Sequence, residues 1–288
     1  MTSIANRAVL ITGSNRGIGR ALVDEALRRD ARRVYAGARG SWTHPDPRVT
    51  PLTLDVTSAA DIQAAAEAVD SLDVLVNNAG IALYDDLTDR SLIERHLAVN
   101  LFGPYAVTQA FLPQLTQSGG AIVNNLSLNS LAPMPVIPAY SISKAAAFSL
   151  TQSLRALLAG RGVRVHAVLT GPVDTDMSRG LEIPKPSAES VARSVFDGVG
   201  QDEEDIFPDP MSSVLAEGWR GGVVKEYERQ CAAMVAAALP QRRRPRVTGP
   251  VPIVAASSPM CDDGDRAGAP RTPAVKLAPS AALVIRRA

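Results

Sequence analysis

The sequence predicts an α/β fold, a single doubly wound parallel sheet with helices on both faces. Three observations carry this. Short apolar runs alternate with helix-length stretches from Ala8 to Leu169, the order expected of repeated β-α-β units. Several of those runs show no polar alternation, as strands buried on both faces require. A glycine-rich turn stands between the first run and the first helical stretch, and sheets of this kind bind ligands at the carboxyl ends of their strands.

Ala8–Ile11 is the first predicted strand and Ile18–Arg29 the first helix. Arg33–Ala36 and Leu52–Leu54 follow as strands, Ala59–Val69 as a helix, and Leu72–Val76 as the fourth strand. Leu92–Leu115 has helical character with a break expected at Gly103-Pro104, since proline has no N–H for the helical ladder. Ala121–Val123 is the fifth strand, Ser141–Leu158 a long helix and Val163–Leu169 the sixth strand. The folded domain is expected over 1–235. The remainder, 236–288, is rich in Pro, Arg and Ala without periodicity, so a disordered tail is expected.

The composition narrows the function. A hydrophobic fraction of 46% with only 4% aromatics implies a core of Ala, Val, Leu and Ile. A net charge of +1 offers no overall basic field for nucleic acid. The basic run Gln241–Arg246 is too short for many phosphate contacts, so no nucleic-acid partner is expected. Cys231 and Cys261 make no disulfide framework, and His44, His96 and His166 lie far from partners at ligand spacing, so no metal is expected. Met1–Asn6 opens no signal sequence, and Ala232–Leu239 is too short to cross a bilayer. A cytoplasmic protein without membrane contact is expected.

The turn Ile11–Gly19 places glycines at Gly13, Gly17 and Gly19. Small residues there let backbone N–H groups approach a pyrophosphate at a helix N-terminus, which makes Gly13, Asn15, Arg16, Gly17, Ile18 and Gly19 candidate cofactor contacts. An NAD site usually carries an acid roughly 20 residues further on, yet no Asp or Glu lies between Asp30 and Asp46. The second strand ends instead at Arg39. With Arg16, it suits the 2′-phosphate of NADP, which guanidinium groups grip bidentately.

Tyr140 and Lys144, four residues apart, share one face of the long helix. A cation beside a phenol favours its ionised form, so the spacing predicts a tyrosine pKa lowered toward the working pH, as a general acid/base requires. With these residues in view, the chain resembles the short-chain dehydrogenase/reductase family over roughly Arg7 to Pro210, and more narrowly its NADP-preferring carbonyl reductases. In that resemblance, Asp55 and Val56 match the pair that meets the adenine. Asn77-Asn78-Ala79-Gly80 matches the motif that lies against the cofactor, and Asn100 the residue that holds a proton-relay water. Ser127, thirteen residues before Tyr140, matches the serine that binds the substrate oxygen. Tyr140 matches the acid/base, and Lys144 the lysine that also binds the nicotinamide ribose.

The resemblance implies hydride transfer between nicotinamide and a ketone, aldehyde or secondary alcohol, in a homodimer or homotetramer. It is not uniform. Gly171-Pro172 inverts the family's usual Pro-Gly order, while Pro172, Val173 and Thr175 still occupy the stretch expected at the nicotinamide. The stretch 177–187 is short where the family places a lid, which implies an open pocket lined by Leu128, Pro133, Met134, Val136 and Met177. Two alternatives stand beside this. One is an epimerase, dehydratase or ketoreductase for a large or carrier-bound substrate. The other is a dinucleotide-sensing protein without turnover, whose mark would be loss of Tyr140 or Lys144; both residues are present.

Overall fold

The computed structural model describes residues 3–238. Seven parallel strands lie in the order β3-β2-β1-β4-β5-β6-β7: β1 Ala8–Thr12, β2 Arg33–Ala38, β3 Val49–Thr53, β4 Val74–Asn77, β5 Ala121–Asn125, β6 Arg164–Val168 and β7 Asp205–Ile206. The helices are α1 Gly17–Arg28, α2 Ala59–Ala68, α3 Arg90–Leu97, α4 Gly103–Ser118, α5 Pro138–Leu158, α6 Ala188–Gly200, α7 Pro210–Arg220 and α8 Val223–Ala238. This is a Rossmann-type sheet, and its strand order reverses between β1 and β4, the crevice where doubly wound sheets bind ligands.

Each face of the sheet has its own core. Val9, Ile11 and Val34 pack with Leu22 of α1 and Val195 and Phe196 of α6. Leu10 and Leu75 pack on the other face with Phe111 of α4 and Leu154 of α5. Both sets are fully or nearly fully buried, which is why the strands show no polar alternation.

Some elements depart from the expected ones. The break at Gly103-Pro104 is absent: a π-turn, Ala98–Phe102, carries α3 into α4, and Pro104 sits in the first turn where its missing N–H is harmless. The third strand spans Val49–Thr53, beginning before the Leu52 start expected from sequence. It includes Pro51, tolerated because β3 is an edge. The long helix starts at Pro138, three residues before Ser141, which puts Tyr140 in its first turn. β7, α6, α7 and α8 were not anticipated. α8 extends to Ala238, past the boundary at 235 expected from sequence, and the basic run and the rest of the tail lie outside the described residues.

The C-terminal helices are held by buried charge. Lys225, 2% exposed, meets Asp205 Oδ2 at 2.7 Å, Glu204 Oε2 at 3.0 Å and Glu228 Oε2 at 3.0 Å. Arg155 of α5 pairs with Asp205 and Glu228, and the Trp219 indole N–H donates to Asp205 at 2.7 Å. No helix among the described residues is long and apolar enough to cross a membrane.

Candidate active site

The glycine turn is shaped by close backbone approach. Gly13 has φ +65°, and a Cβ there would lie 2.9 Å from Ala79 Cα. A Cβ on Gly19 would lie 2.0 Å from the Gly13 carbonyl oxygen, so neither position admits a side chain. Thr12 Oγ1 accepts the N–H groups of Asn78 and Ala79, both at 3.0 Å, and Asn78 Nδ2 donates to the Thr12 and Gly13 carbonyls. The two motifs thus meet across the crevice. Arg16 precedes α1 in extended conformation without a side-chain cap, so the first N–H groups of a twelve-residue helix face outward unpaired by side chains. This arrangement fits a dinucleotide pyrophosphate.

Asn15 is exposed in the turn and Ile18 packs inward on the α1–α6 core. Arg16 reaches Asp176 Oδ2 at 3.3 Å across an exposed ion pair, so its guanidinium is partly engaged. Arg39 is exposed at the end of β2. Burial alone would raise the Asp55 carboxyl, but hydrogen bonds from Thr57 and the charge of Arg39 bring it below its ordinary value. Arg39 and Asp55 are therefore neighbours at the carboxyl ends of β2 and β3. Val56 turns inward against Gly103. Thr175 packs its methyl group over Gly17, and its hydroxyl donates back to the Val173 carbonyl at 3.3 Å.

The catalytic candidates converge at the next strand outward. Ser127 ends the extended segment after β5 and accepts the Asn129 N–H at 3.1 Å. Tyr140 is buried, with its phenol beside the Ser127 side chain. Lys144 Nζ lies 5.7 Å from the Tyr140 ring centroid and donates to the Asn125 carbonyl at 2.8 Å. Asn100 sits in the π-turn, the kind of helix irregularity that marks functional positions. Its amide donates to the Ile81 carbonyl and to Ser143 Oγ, both at 2.9 Å, and accepts the Ile81 N–H at 3.0 Å. Its side chain is thus fully committed to protein partners. Gly80 lies between them: a Cβ there would stand 3.2 Å from Asn100 Oδ1 and 3.8 Å from Lys144 Nζ.

One expectation fails in this state. The phenol is not lowered by the ammonium: burial pushes Tyr140 up to about 12, with the Ser127 hydrogen bond only partly offsetting it. Burial also pulls Lys144 down to about 8. Desolvation sets the direction of both shifts, and the ammonium donates to the Asn125 carbonyl.

Three residues to which the sequence assigns no role here belong to this site. Ser143 supports Asn100. His96, fully buried, donates through Nδ1 to the Leu92 carbonyl at 2.6 Å, accepts the Leu83 N–H at 3.1 Å and packs edge-on to Tyr140. Asp209 precedes α7 and is almost wholly buried. An Asp before Pro210 with Ser212 two residues further on is a helix-start signal that could have located it. Of the expected pocket-lining residues, Leu128 is half-buried, while Pro133, Met134, Val136 and Met177 are exposed.

The family described as short chain dehydrogenase matches residues 7–185, and the chain belongs to that family of oxidoreductases. A crystal structure of a short chain dehydrogenase from Burkholderia cenocepacia in complex with NADP is 33% identical, with a TM-score of 0.73 over 79% of this chain and 98% of that one. The 2-(S)-hydroxypropyl-CoM dehydrogenase 3 of Xanthobacter autotrophicus is 35% identical over 206 residues, 66% of this chain and 81% of that protein. A 3-ketoacyl-(acyl-carrier-protein) reductase from Brucella melitensis complexed with NADH shares the fold at 22% identity, with a TM-score of 0.64 over 73% and 94% of the two chains.

Proposed function

We propose that the protein is an NADP(H)-dependent oxidoreductase of ketones, aldehydes or the corresponding secondary alcohols, with Tyr140 as general acid/base. The observation that carries this is the buried Tyr140 phenol beside the Ser127 side chain, with Lys144 Nζ 5.7 Å from the phenol ring centroid, at the carboxyl end of β5. A bound nicotinamide would supply or accept the hydride. Gly13, Gly17, Gly19, Asn78, Ala79 and Gly80 would hold the cofactor's pyrophosphate and ribose, Asp55 and Val56 its adenine, and Pro172, Val173 and Thr175 its nicotinamide. Ser127 holds the substrate oxygen while Tyr140 gives it a proton in reduction and removes one in oxidation. Lys144 binds the ribose and returns a proton toward Tyr140, and Asn100 steadies the relay beside Gly80.

Arg16 and Arg39, with no acid after β2, support NADP over NAD; the NADP complex of the Burkholderia relative is consistent with this. A cytoplasmic homodimer or homotetramer belongs to the same proposal. Phe102 and Tyr105 near the start of α4, and Ile142 and Leu157 on α5, leave apolar surface exposed for a second copy. Light scattering at micromolar concentration should give two or four chains; a monomer rejects the assembly. The tail from about Arg242 to Ala288 is dispensable in this scheme.

NADPH with a panel of ketones and aldehydes, followed at the nicotinamide absorbance band, tests the activity. Carbonyl-dependent loss of absorbance is expected. Tight NADPH binding with no turnover on any carbonyl would favour a dinucleotide sensor instead.

A further inference from the structure

The segment Thr170–Thr175 joins the two halves of the site. At one end, the Leu128 N–H, next to Ser127, donates to the Thr170 carbonyl at 3.0 Å. At the other, Thr175 rests on Gly17 of the phosphate-binding turn. A cofactor reaching from that turn to the catalytic serine runs along this segment. What fixes the segment lies outside every motif, in the Asp209 carboxylate. Asp209 Oδ2 accepts the Gly171 N–H at 2.9 Å, the Thr170 hydroxyl at 3.1 Å and the Ser212 hydroxyl at 2.8 Å. Its Oδ1 accepts the N–H groups of Met211 and Ser212, both at 3.0 Å. Five donors converge on one buried carboxylate, two from the segment and three from the first turn of α7.

We propose that Asp209 is a positioning residue for hydride transfer, clamping Thr170–Gly171 so that Pro172–Thr175 holds the nicotinamide end of the cofactor still. The inverted Gly171-Pro172 order is part of this device. The clamp needs an N–H at position 171, which glycine has and proline lacks. The same clamp sets Met211 against Gly171, where a Gly171 Cβ would lie 3.3 Å from its sulfur, so α7 stands beside the segment on the side of Leu128. The inference rests on the dinucleotide assignment made under Proposed function.

Two variants separate the clamp from the helix cap. Asp209→Asn keeps one oxygen, enough to accept the Met211 and Ser212 N–H groups, and turns its amide toward Thr170 and Gly171, where the Gly171 N–H then faces a donor while the Thr170 hydroxyl can turn to accept. Thr170→Val removes a single bond to Oδ2 and leaves the cap intact. The adenosine and pyrophosphate contacts are untouched in both, so NADPH affinity, followed by titration of nicotinamide fluorescence, is expected to change less than about twofold. The fluorescence lifetime and anisotropy of the bound nicotinamide, which report its freedom, should fall toward those of free NADPH. With an active carbonyl substrate, kcat should drop about 10- to 100-fold in Asp209→Asn and less in Thr170→Val, with a larger primary deuterium isotope effect from 4-deuterated NADPH. Unchanged lifetime and kcat in a folded variant overturn the proposal, as does a loss of affinity that accounts for the whole loss of turnover. Should Asp209→Asn fail to fold, Thr170→Val alone decides by the same readouts. A parent protein that does not bind NADPH would overturn the dinucleotide assignment itself, a result distinct from either.

Discussion

The turn after β1 and the cluster around Tyr140 serve neighbouring parts of one site but are built differently. The turn is made of backbone. Gly13 and Gly19 stand where a Cβ would meet the chain at 2.9 and 2.0 Å, and the groups the turn presents are the N–H groups of a helix start. The cluster is made of side chains from β5, the π-turn and α5, held by bonds between residues far apart in sequence, such as Asn100 with Ser143 and Lys144 with Asn125. The first kind of site is fixed once the chain turns. The second depends on how helices pack, and so on the C-terminal elements that press against them.

Substitutions can test whether the two regions are separable. The largest effect is expected from Tyr140→Phe, which keeps the ring and removes its proton. Turnover should fall by about 10²–10⁴-fold while NADPH affinity stays near the parent value. A variant that still reduces a good substrate at the parent rate would move the acid/base elsewhere. Lys225→Met asks whether the side-chain region needs its C-terminal support. It leaves Asp205 and Glu228 buried with one cation fewer, and removing one partner of a buried ion pair costs on the order of 3–5 kcal/mol. Urea unfolding should register that loss, and a midpoint within error of the parent would show that α8 contributes little.

Arg39→Asp acts on the other region alone. It should cost on the order of 1.5–3 kcal/mol of NADPH affinity and narrow or reverse the preference over NADH, with kcat at saturation little changed. Equal affinities of the parent protein for the two nucleotides would remove the basis for this. The smallest effect is a pH limb. Lys144 is held near 8 by burial, so it loses its positive charge as pH rises through that value, long before Tyr140 ionises near 12. kcat/KM for reduction should therefore decline above about pH 8, approaching tenfold per unit. A profile flat from pH 7 to 9 would take Lys144 out of the proton-handling role.

The contrast also explains what the sequence made legible. Gly13, Gly17 and Gly19 sit within seven residues of one another, and their spacing states their purpose. Ser127, Tyr140 and Lys144 could be named through the family pattern, but their protonation could not. Spacing puts the ammonium on the phenol's face of the helix, yet only packing reveals that Lys144 points to the Asn125 carbonyl and that both groups are desolvated. The region after β6 was hardest to read. β7 is two residues long, one of them an aspartate that is buried only because Lys225 and Arg155 reach it from distant helices. Asp209 left a local trace, in the proline that follows it. Its second task, at Thr170 and Gly171, joins residues nearly forty apart and leaves no trace in the sequence.

The two rims of the sheet have a bearing on how the protein behaves when crowded. On one side β3 carries Pro51, exposed and without an N–H to offer. On the other, β7 supplies two residues before the chain turns into α7. Open strand edges template growth by a further strand, and proline and brevity are two ways in which natural sheets blunt them. Neither rim is a good seed for fibrous growth, which among the described residues leaves helical surfaces as the place where copies of this chain can meet.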